Sequence, residues 1–296
     1  MITPPQACLP NLPCYLNGEF TTLPNATVSV MDRGFLMGDG VYEVVPAYAG
    51  RLFRFAEHMA RLDKSLAEVR IANPNQSDEW KAIATRLLAE HAEAHGYGPQ
   101  SVYLQITRGV AMRDHAMLEG LIPTVFMMVT AAKLPTAGQR DHGVACVTTD
   151  DFRWRKAHIK STSLLGAVIA RQISADVGAV ETIMFRDGIL SEGASSNVWV
   201  AKDGAVAGVT RDNLVLEGIR YGLMSELCAE AGVPFTLRRI SRNEVAHADE
   251  LMLSSAGKEV LAVTLLDGLP VGNGRTGPIY QKLYQGYQRA IARTAP

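Results

Sequence analysis

Arg153-Trp154-Arg155-Lys156-Ala157-His158-Ile159-Lys160-Ser161-Thr162-Ser163-Leu164-Leu165-Gly166 is the stretch around which the rest of the chain makes sense. Four basic residues and one histidine crowd the eight positions that end at Lys160. Small hydroxyl residues follow, and then Leu164, Leu165, Val168 and Ile169 recur at helical spacing. Lys160 therefore falls where an extended segment should pass into a helix. A lysine ammonium with the ordinary pKa of about 10.4 is a poor nucleophile at neutral pH. Neighbouring cations or desolvation free the amine, which can then form an imine with a carbonyl. Taken alone, the stretch reads as a solvated basic strand edge. Its meaning depends on its company.

At 296 residues the chain is too long for one small core, and two domains are expected. Hydrophobic residues make up 47% and charged residues 20%, the balance of a soluble globular protein. A net charge of -1 gives no general attraction to nucleic acid or to an anionic membrane. Cys8, Cys14, Cys146 and Cys228 are scattered, with neither a C-x-x-C pair nor a Cys/His spacing for zinc. No metal site is expected, and a reduced, cytoplasmic protein is. Met1 to Cys8 lacks the basic start and apolar core of a secretory signal. The longest apolar run, Leu121 to Ala132, contains Pro123 and is too short to span a bilayer.

Outward from the lysine, turn chemistry and periodicity outline the rest. Tyr15 to Phe20 predicts a hairpin turning at Asn17-Gly18, and Ala47 to Phe53 a second strand–turn–strand. Between them Asp32-Arg33-Gly34 through Gly38-Asp39-Gly40 suits tight turns or close backbone approach. Val41 to Val45 then alternates like a strand, with Tyr42 and Val44 on one face and Val41, Glu43 and Val45 on the other. Helices are predicted over Glu57 to Ile71 and over Asp78 to His95, the latter capped by Ser77. Val102 to Gly109 and Val125 to Val129 read as strands, so residues 1–132 form a domain with a sheet and two helices. Lys133 to Asp141 breaks both periodicities and is expected to be the linker. In residues 142–296, Val144 to Thr149 reads as a strand and the helix after Lys160 runs to about Asp176. Hairpins are expected at Asp187-Gly188 and Asp203-Gly204, and helices over Gly218 to Ala231 and Pro278 to Ala292. Short strands with segregated helices argue for an α+β fold in both halves.

Two further stretches can serve a lysine imine. Ser191-Glu192-Gly193-Ala194-Ser195-Ser196-Asn197 leaves the first of those hairpins. By itself Glu192 is a turn carboxylate; beside an imine-forming lysine it can keep a pyridine nitrogen protonated and make the ring an electron sink. Gly193 and the small residues after it permit close packing against a planar ligand, and Ser195 and Ser196 offer N–H and hydroxyl donors to phosphate. Leu214-Val215-Leu216-Glu217-Gly218-Ile219-Arg220 opens a helix whose first N–H groups can bind an anion, as many ligand-free helices also could.

Together, these stretches resemble the fold-type IV pyridoxal phosphate enzymes. The family spans D-amino acid aminotransferases, branched-chain aminotransferases, R-selective amine transaminases and aminodeoxychorismate lyases. The resemblance runs from about Tyr15 onward. It includes Arg33-Gly34, Gly38 through Glu43, Glu57-His58 with Arg61-Leu62, Lys160-Ser161 with Leu164-Leu165-Gly166, and Glu192-Gly193 with Ser195-Ser196-Asn197. It implies a smaller N-terminal α/β sandwich and a larger C-terminal, barrel-like domain with helices. It also implies that Lys160 holds pyridoxal 5′-phosphate as an imine and moves the substrate proton, and that Glu192 pairs with the pyridine nitrogen. Arg61 and the backbone of Ile219 and Arg220 would bind the phosphate, with Leu216 behind the ring. Arg220 stands where many relatives have threonine, and Ala256 where they supply a phosphate-binding threonine.

Substrate choice is expected from Arg108 to His115. Arg113 and His115 lie two apart, so an extended loop could turn both to one side as a carboxylate receptor. By resemblance, Arg113 and His115 form the carboxylate trap of D-amino acid aminotransferases, completed by Tyr42, with Trp154 and Val44 lining the side-chain pocket. The loop would come from the neighbouring subunit of a homodimer. The expected reaction is a ping-pong exchange between a D-amino acid, D-alanine foremost, and a 2-oxo acid, 2-oxoglutarate foremost. A branched-chain L-amino acid or R-amine transaminase, an aminodeoxychorismate lyase and a non-enzymatic binding protein of the same fold are the alternatives.

Overall fold

Asn17 and Gly18 both take positive φ, 49° and 101°, and close the hairpin between strands β1 (Pro13–Leu16) and β2 (Glu19–Thr22) as the Asn-Gly pair predicts. This computed structural model describes residues 9–294; Cys8 and the N-terminal stretch judged against a secretory signal lie outside them. The chain divides into two units, Met1–Ala132 with Lys160–Ser163, and Lys133–Ile159 with Leu164–Pro296.

The first unit continues through α1 (Arg33–Met37), β3 (Gly40–Tyr48), β4 (Arg51–Leu52), α2 (Phe55–Glu68), α3 (Ser77–His95), β5 (Gln100–Thr107) and β6 (Thr124–Ala131). Its six strands form one antiparallel sheet in the order β2-β1-β6-β5-β3-β4. The period-two alternation decides which face is buried. Val41 and Val45, Val102, Leu104 and Ile106, Met127 and Val129 are all buried on one face. The α2 and α3 helices cover that face with Met59, Leu62, Leu66, Trp80, Leu87 and Leu88. Tyr42, Val44, Tyr103, Gln105 and Phe126 stand half-buried on the other.

Three local expectations change here. The glycine-rich stretch after Asp32 is not turns alone. It holds α1, started by the Asp32 carboxylate accepting from Gly34 N–H at 2.8 Å and stopped by Gly38 at φ 66°. Helix α2 ends at Glu68 rather than Ile71, because Arg70 turns to φ 51°. Gln76, not Ser77, caps α3: its side chain accepts from the N3 backbone while Glu79 reaches back to Gln76 N–H at 2.6 Å.

The second unit runs through α4 (Ala137–His142), β7 (Val144–Asp150), α5 (Leu165–Asp176), β8 (Glu181–Arg186), β9 (Ile189–Gly193), β10 (Asn197–Lys202) and β11 (Ala205–Val209). It continues with α6 (Arg220–Ala231), β12 (Phe235–Arg238), α7 (Arg242–Ala246), β13 (Glu250–Ser255), β14 (Glu259–Leu266), β15 (Leu269–Pro270) and α8 (Pro278–Ala292). Its nine strands follow the order β12-β11-β10-β13-β14-β7-β8-β9, with β15 on β14. Three pairs, β11–β12, β14–β7 and β7–β8, are parallel. The last strand, β9, also approaches β10 and β11, so the sheet curls around a core of Ile183, Phe185, Leu190, Val198, Leu251 and Leu261. The stretch expected to be a linker carries α4, because Thr136 and Gln139 form a capping box and Arg140 pairs with Glu259 at 2.9 Å. Among the described residues no helix is long and apolar enough to cross a membrane, and no cluster of His, Cys, Asp and Glu could hold a metal.

Candidate active site

In the first unit the lysine is held by β3. Tyr42 N–H donates to Lys160 O at 3.0 Å, Thr162 N–H donates to Gly40 O at 2.9 Å, and Ser161 bridges Val41 antiparallel. Lys160 N–H reaches Ser65 Oγ at 3.3 Å on α2. The segment thus meets β3 through one isolated antiparallel bridge at Ser161, and α5 follows from Leu165, so Lys160 lies on extended chain ahead of a helix as the spacing predicts. Its Nζ lies 4.2 Å from the centroid of the Tyr42 ring. Tyr42 in turn lies against Tyr103, with centroids 5.8 Å apart. Burial and the neighbouring Tyr42 push the Tyr103 hydroxyl up to about 12. Tyr103 and Gln105 share this face, and their alternation with buried Val102, Leu104 and Ile106 is the sequence signal that places them there.

On the opposite face Glu43 is fully buried. Arg61 grips it bidentately, Nε to Oε1 at 2.8 Å and Nη2 to Oε2 at 2.7 Å, and His58 Nδ1 lies 2.8 Å from Oε2. Burial opposes ionisation, but the Arg61 charge and hydrogen bonds, with help from His58, hold the carboxyl well below the usual range. Arg61, expected to bind phosphate, is therefore oriented by Glu43 from β3.

Arg113 and His115 lie at exposed positions after β5. The loop is not extended, as the two-apart argument required: it bends at Met112–Arg113 and at His115–Ala116. The bend has an evident cause. Asp114 Oδ1 accepts from Ala116 N–H at 2.9 Å, and the buried Arg33 side chain donates to the carbonyls of Asp114 and Ala116.

In the second unit Glu192, on β9, is 5% exposed. Its Oε1 accepts from Arg153 Nη1 at 2.9 Å; its Oε2 accepts from Leu216 N–H at 3.1 Å and from Asn197 Nδ2 at 3.4 Å. Burial raises the carboxyl to about 7, against the pull of Arg153. Arg153 is itself anchored by Asp151 at 3.0 Å, and Asp151 also pairs with Arg186 at 3.1 Å. The basic run before the lysine is therefore not simply a cloud of cations acting on Lys160, since its first arginine is engaged with two carboxylates. Sequence reading did not give Arg153 this role, because only the fold brings it to Glu192. Trp154, next to it, is half exposed.

Ser195 and Ser196 do not point free hydroxyls outward. Both donate to Glu181 Oε2 at 2.8 Å, and Lys258 Nζ completes the cluster at 2.9 Å from the same oxygen and 2.8 Å from Ser195 Oγ. Gly193 makes room for this serine turn rather than for a planar ligand: an added Cβ would sit 2.5 Å from Ser196 Oγ. Asn197 ties the cluster to the helix entrance by donating to Leu216 O at 3.1 Å. At that entrance Ile219 caps α6, and the leading N–H groups of such a helix have no intrahelical acceptor. The Arg220 side chain runs elsewhere, with Nε 3.3 Å from Ser255 O and the guanidinium 5.1 Å from the Tyr287 ring centroid. The guanidinium thus lies between α8 and the end of β13.

The donor types in each unit fit those that pyridoxal 5′-phosphate needs: in the first, a half-buried amine and an arginine presented by a carboxylate; in the second, a buried carboxylate backed by an arginine, and a helix start.

The chain is similar to known proteins along most of its length. The family described as amino-transferase class IV matches residues 40–266. A D-alanine aminotransferase of Staphylococcus epidermidis is 35% identical over 277 residues, covering 94% of this chain and 97% of that protein. One from Bacillus licheniformis is 36% identical over 275 residues, covering 93% and 95%. Among solved structures, the branched-chain aminotransferase of the archaeon Thermoproteus uzoniensis with norvaline superposes with a TM-score of 0.85. It is 22% identical and covers 96% of this chain and 96% of that one, a likeness of fold.

Proposed function

The chain belongs to the amino-transferase class IV family, and from that premise we propose that it exchanges the amino group of a D-amino acid with the oxo group of a 2-oxo acid, D-alanine and 2-oxoglutarate being the leading pair. The enzyme is a pyridoxal 5′-phosphate-dependent aminotransferase. The observation that carries the D-amino acid reading is end-to-end likeness to two D-alanine aminotransferases. The likeness to a branched-chain enzyme is one of fold and assigns no substrate to this chain.

Bound pyridoxal phosphate supplies an aldehyde carbon that captures amines covalently and a ring that accepts electron density from the substrate Cα. The chain supplies the rest. Lys160 Nζ would hold the cofactor's aldehyde carbon between turnovers and, once released by the incoming amine, would move the proton between the substrate Cα and the cofactor C4′. The Glu192 carboxylate would accept from the ring N–H, and Arg153 at 2.9 Å favours its ionised form. Arg61 and the Ile219 and Arg220 N–H groups bind the phosphate, Leu216 backs the ring, and Ser195 and Ser196 brace that site through Glu181. Arg113 and His115 bind the substrate carboxylate with Tyr42, while Val44 and Trp154 line the pocket for its side chain.

A second copy of the chain is part of this reading. Met112 at 81%, Ile122 at 88% and Phe35 at 68% exposure give apolar surface for it to cover. A reducing, cytoplasmic setting is supported by three buried free thiols, Cys14, Cys146 and Cys228. No nucleic-acid partner is proposed.

The test is to mix the cofactor-loaded protein separately with D-alanine and L-alanine. D-alanine should bleach the visible absorbance of the lysine-bound cofactor and release pyruvate, and 2-oxoglutarate should restore it. Conversion by L-alanine or branched L-amino acids instead would overturn the reading. Pyruvate release from aminodeoxychorismate with no amino acceptor would place the chain with the lyases.

A further inference from the structure

Arg33 opens α1, yet its side chain is buried and each nitrogen of its guanidinium has a different task. Nε donates to Asp39 Oδ2 at 2.8 Å, Nη1 to Asp114 O at 2.6 Å and Nη2 to Ala116 O at 3.0 Å. The two carbonyls belong to the residues on either side of His115, and the first of these, Asp114, also follows Arg113. A planar fork can hold two carbonyls at a fixed separation, whereas a lysine ammonium is a single point of donation. Buried cations persist where a counter-charge and full hydrogen bonding are supplied, and Asp39 provides the charge.

Asp39 is shared. Arg108 donates to it through Nε at 2.8 Å and Nη2 at 3.1 Å, and Arg108 N–H donates to Asp39 O at 3.1 Å. Backbone bonds bind the same turn to the start of the loop: Arg33 N–H to Gly109 O at 2.9 Å and Ala111 N–H to Met31 O at 3.3 Å. The turn's other end holds the lysine segment. Gly38 O accepts from Thr162 Oγ1 and from Ser163 Oγ, both at 3.0 Å. One stretch, 32–40, therefore fastens both the loop of Arg113 and His115 and the segment of Lys160.

We propose that Arg33 is a positioning residue for substrate-carboxylate recognition, fixing the bend of the loop that presents Arg113 and His115. The proposal rests on the reading of those two residues as the carboxylate receptor. Arg33 touches no substrate; it acts through the carbonyls of Asp114 and Ala116.

The test compares Arg33→Lys and Arg33→Ala with the parent, and repeats each in an Arg113→Ala/His115→Ala background. Steady-state KM and kcat for D-alanine are measured, with bound cofactor per chain from visible absorbance as the check on folding. Arg33→Lys keeps a charge facing Asp39 but cannot span two carbonyls. It should raise KM about 10-fold with kcat changed less than about 3-fold and full cofactor uptake. In the doubly substituted background it should add less than about 2-fold, because its target is already gone. An equal rise in both backgrounds, no rise in either Arg33 variant, or failure of both to take up cofactor would assign Arg33 to the fold alone and overturn the proposal. If Arg113→Ala/His115→Ala alone leaves KM unchanged, the receptor reading itself falls and takes the proposal with it.

Discussion

Arg153 Nη1 sits 2.9 Å from Glu192 Oε1, and this contact opposes a burial that otherwise keeps the carboxyl neutral. Even with the arginine in place, the Glu192 pKa is raised to about 7. An opposite charge at this range shifts a carboxyl by roughly 1–3 pKa units, so Arg153→Gln should carry Glu192 well above neutrality. The proton intended for the ring nitrogen would then rest on the carboxyl. The expected result is a fall in kcat on the order of 10-fold at pH 7 with little change in KM for the amino donor. Arg153→Lys should restore much of it. An unchanged kcat in Arg153→Gln would remove Arg153 from the mechanism.

The same pair fixes a pH dependence of the cofactor-free protein. Glu192 has a higher pKa folded than its ordinary 4.5, so the folded state binds the extra proton. The stability this contributes is present below about 4.5 and is lost as pH rises towards about 7. In Arg153→Gln the loss should continue above pH 7. Thermal unfolding of the two apo proteins between pH 5 and about 9 compares the windows. Coincident profiles would mean that Arg153 does not govern the titration.

The Glu181 cluster behaves with the opposite sign. Burial alone would raise its carboxyl, but Lys258 and the hydroxyls of Ser196 and Ser195 hold it below the ordinary value of 4.5. Its stability contribution is therefore present above that value and lost on acidification. Lys258→Met leaves a buried anion with its cation gone, and breaking such a pair costs about 3 kcal/mol. The Tm deficit should be large at pH 7 and shrink towards pH 4, where protonation relieves the anion. A deficit that does not vary with pH would point to packing rather than charge.

The sequence discloses what is encoded locally and little of what depends on distant pairing. The turns at Asn17-Gly18, Asp187-Gly188 and Asp203-Gly204 all carry positive φ at both residues, and Pro278 starts α8 where it was expected. The four-residue β12 and two-residue β15 have no pattern of their own; each exists because a neighbouring strand is available. Helices α1 and α4 were hidden in stretches whose Gly and Pro outweigh any period, although the caps Asp32 and Thr136 were readable signals. At the site, Lys160 and Glu192 stood out only through the family resemblance of the stretches around them, since each alone reads as an ordinary surface charge. Arg153 on Glu192, Arg61 on Glu43 and Lys258 on Glu181 were not legible, since each pair is brought together by the packing of separate elements.

Glu43 provides a further prediction. Replacing it with glutamine leaves Arg61 and His58 facing a neutral amide at a fully buried position. A broken buried pair costs roughly 3–5 kcal/mol, so apo Glu43→Gln should unfold several degrees lower than the parent. The bidentate grip that orients Arg61 is also lost, so cofactor affinity should fall about 10-fold or more, read by titrating the apo protein with pyridoxal phosphate. Pyridoxal, which lacks the phosphate, should lose little affinity. Equal losses for both ligands would show that Arg61 is not a phosphate residue.

Gly218 offers the narrowest test of how the helix entrance is built. Its φ is not in the left-handed region, so alanine is allowed by the backbone, but the added Cβ would lie 2.0 Å from Asn197 Oδ1. Something must move, and Asn197 is constrained: its Nδ2 donates to Leu216 O at 3.1 Å and to Glu192 Oε2 at 3.4 Å. Leu216 N–H in turn donates to Glu192 Oε2 at 3.1 Å. A single methyl group therefore disturbs the start of α6 and the carboxylate together. Gly218→Ala should weaken pyridoxal phosphate binding on the order of 10-fold and lower kcat, while the double variant Gly218→Ala/Asn197→Ala, which removes the clash, should recover part of the affinity. If the double variant binds no better than Gly218→Ala alone, Asn197 is not what the glycine accommodates.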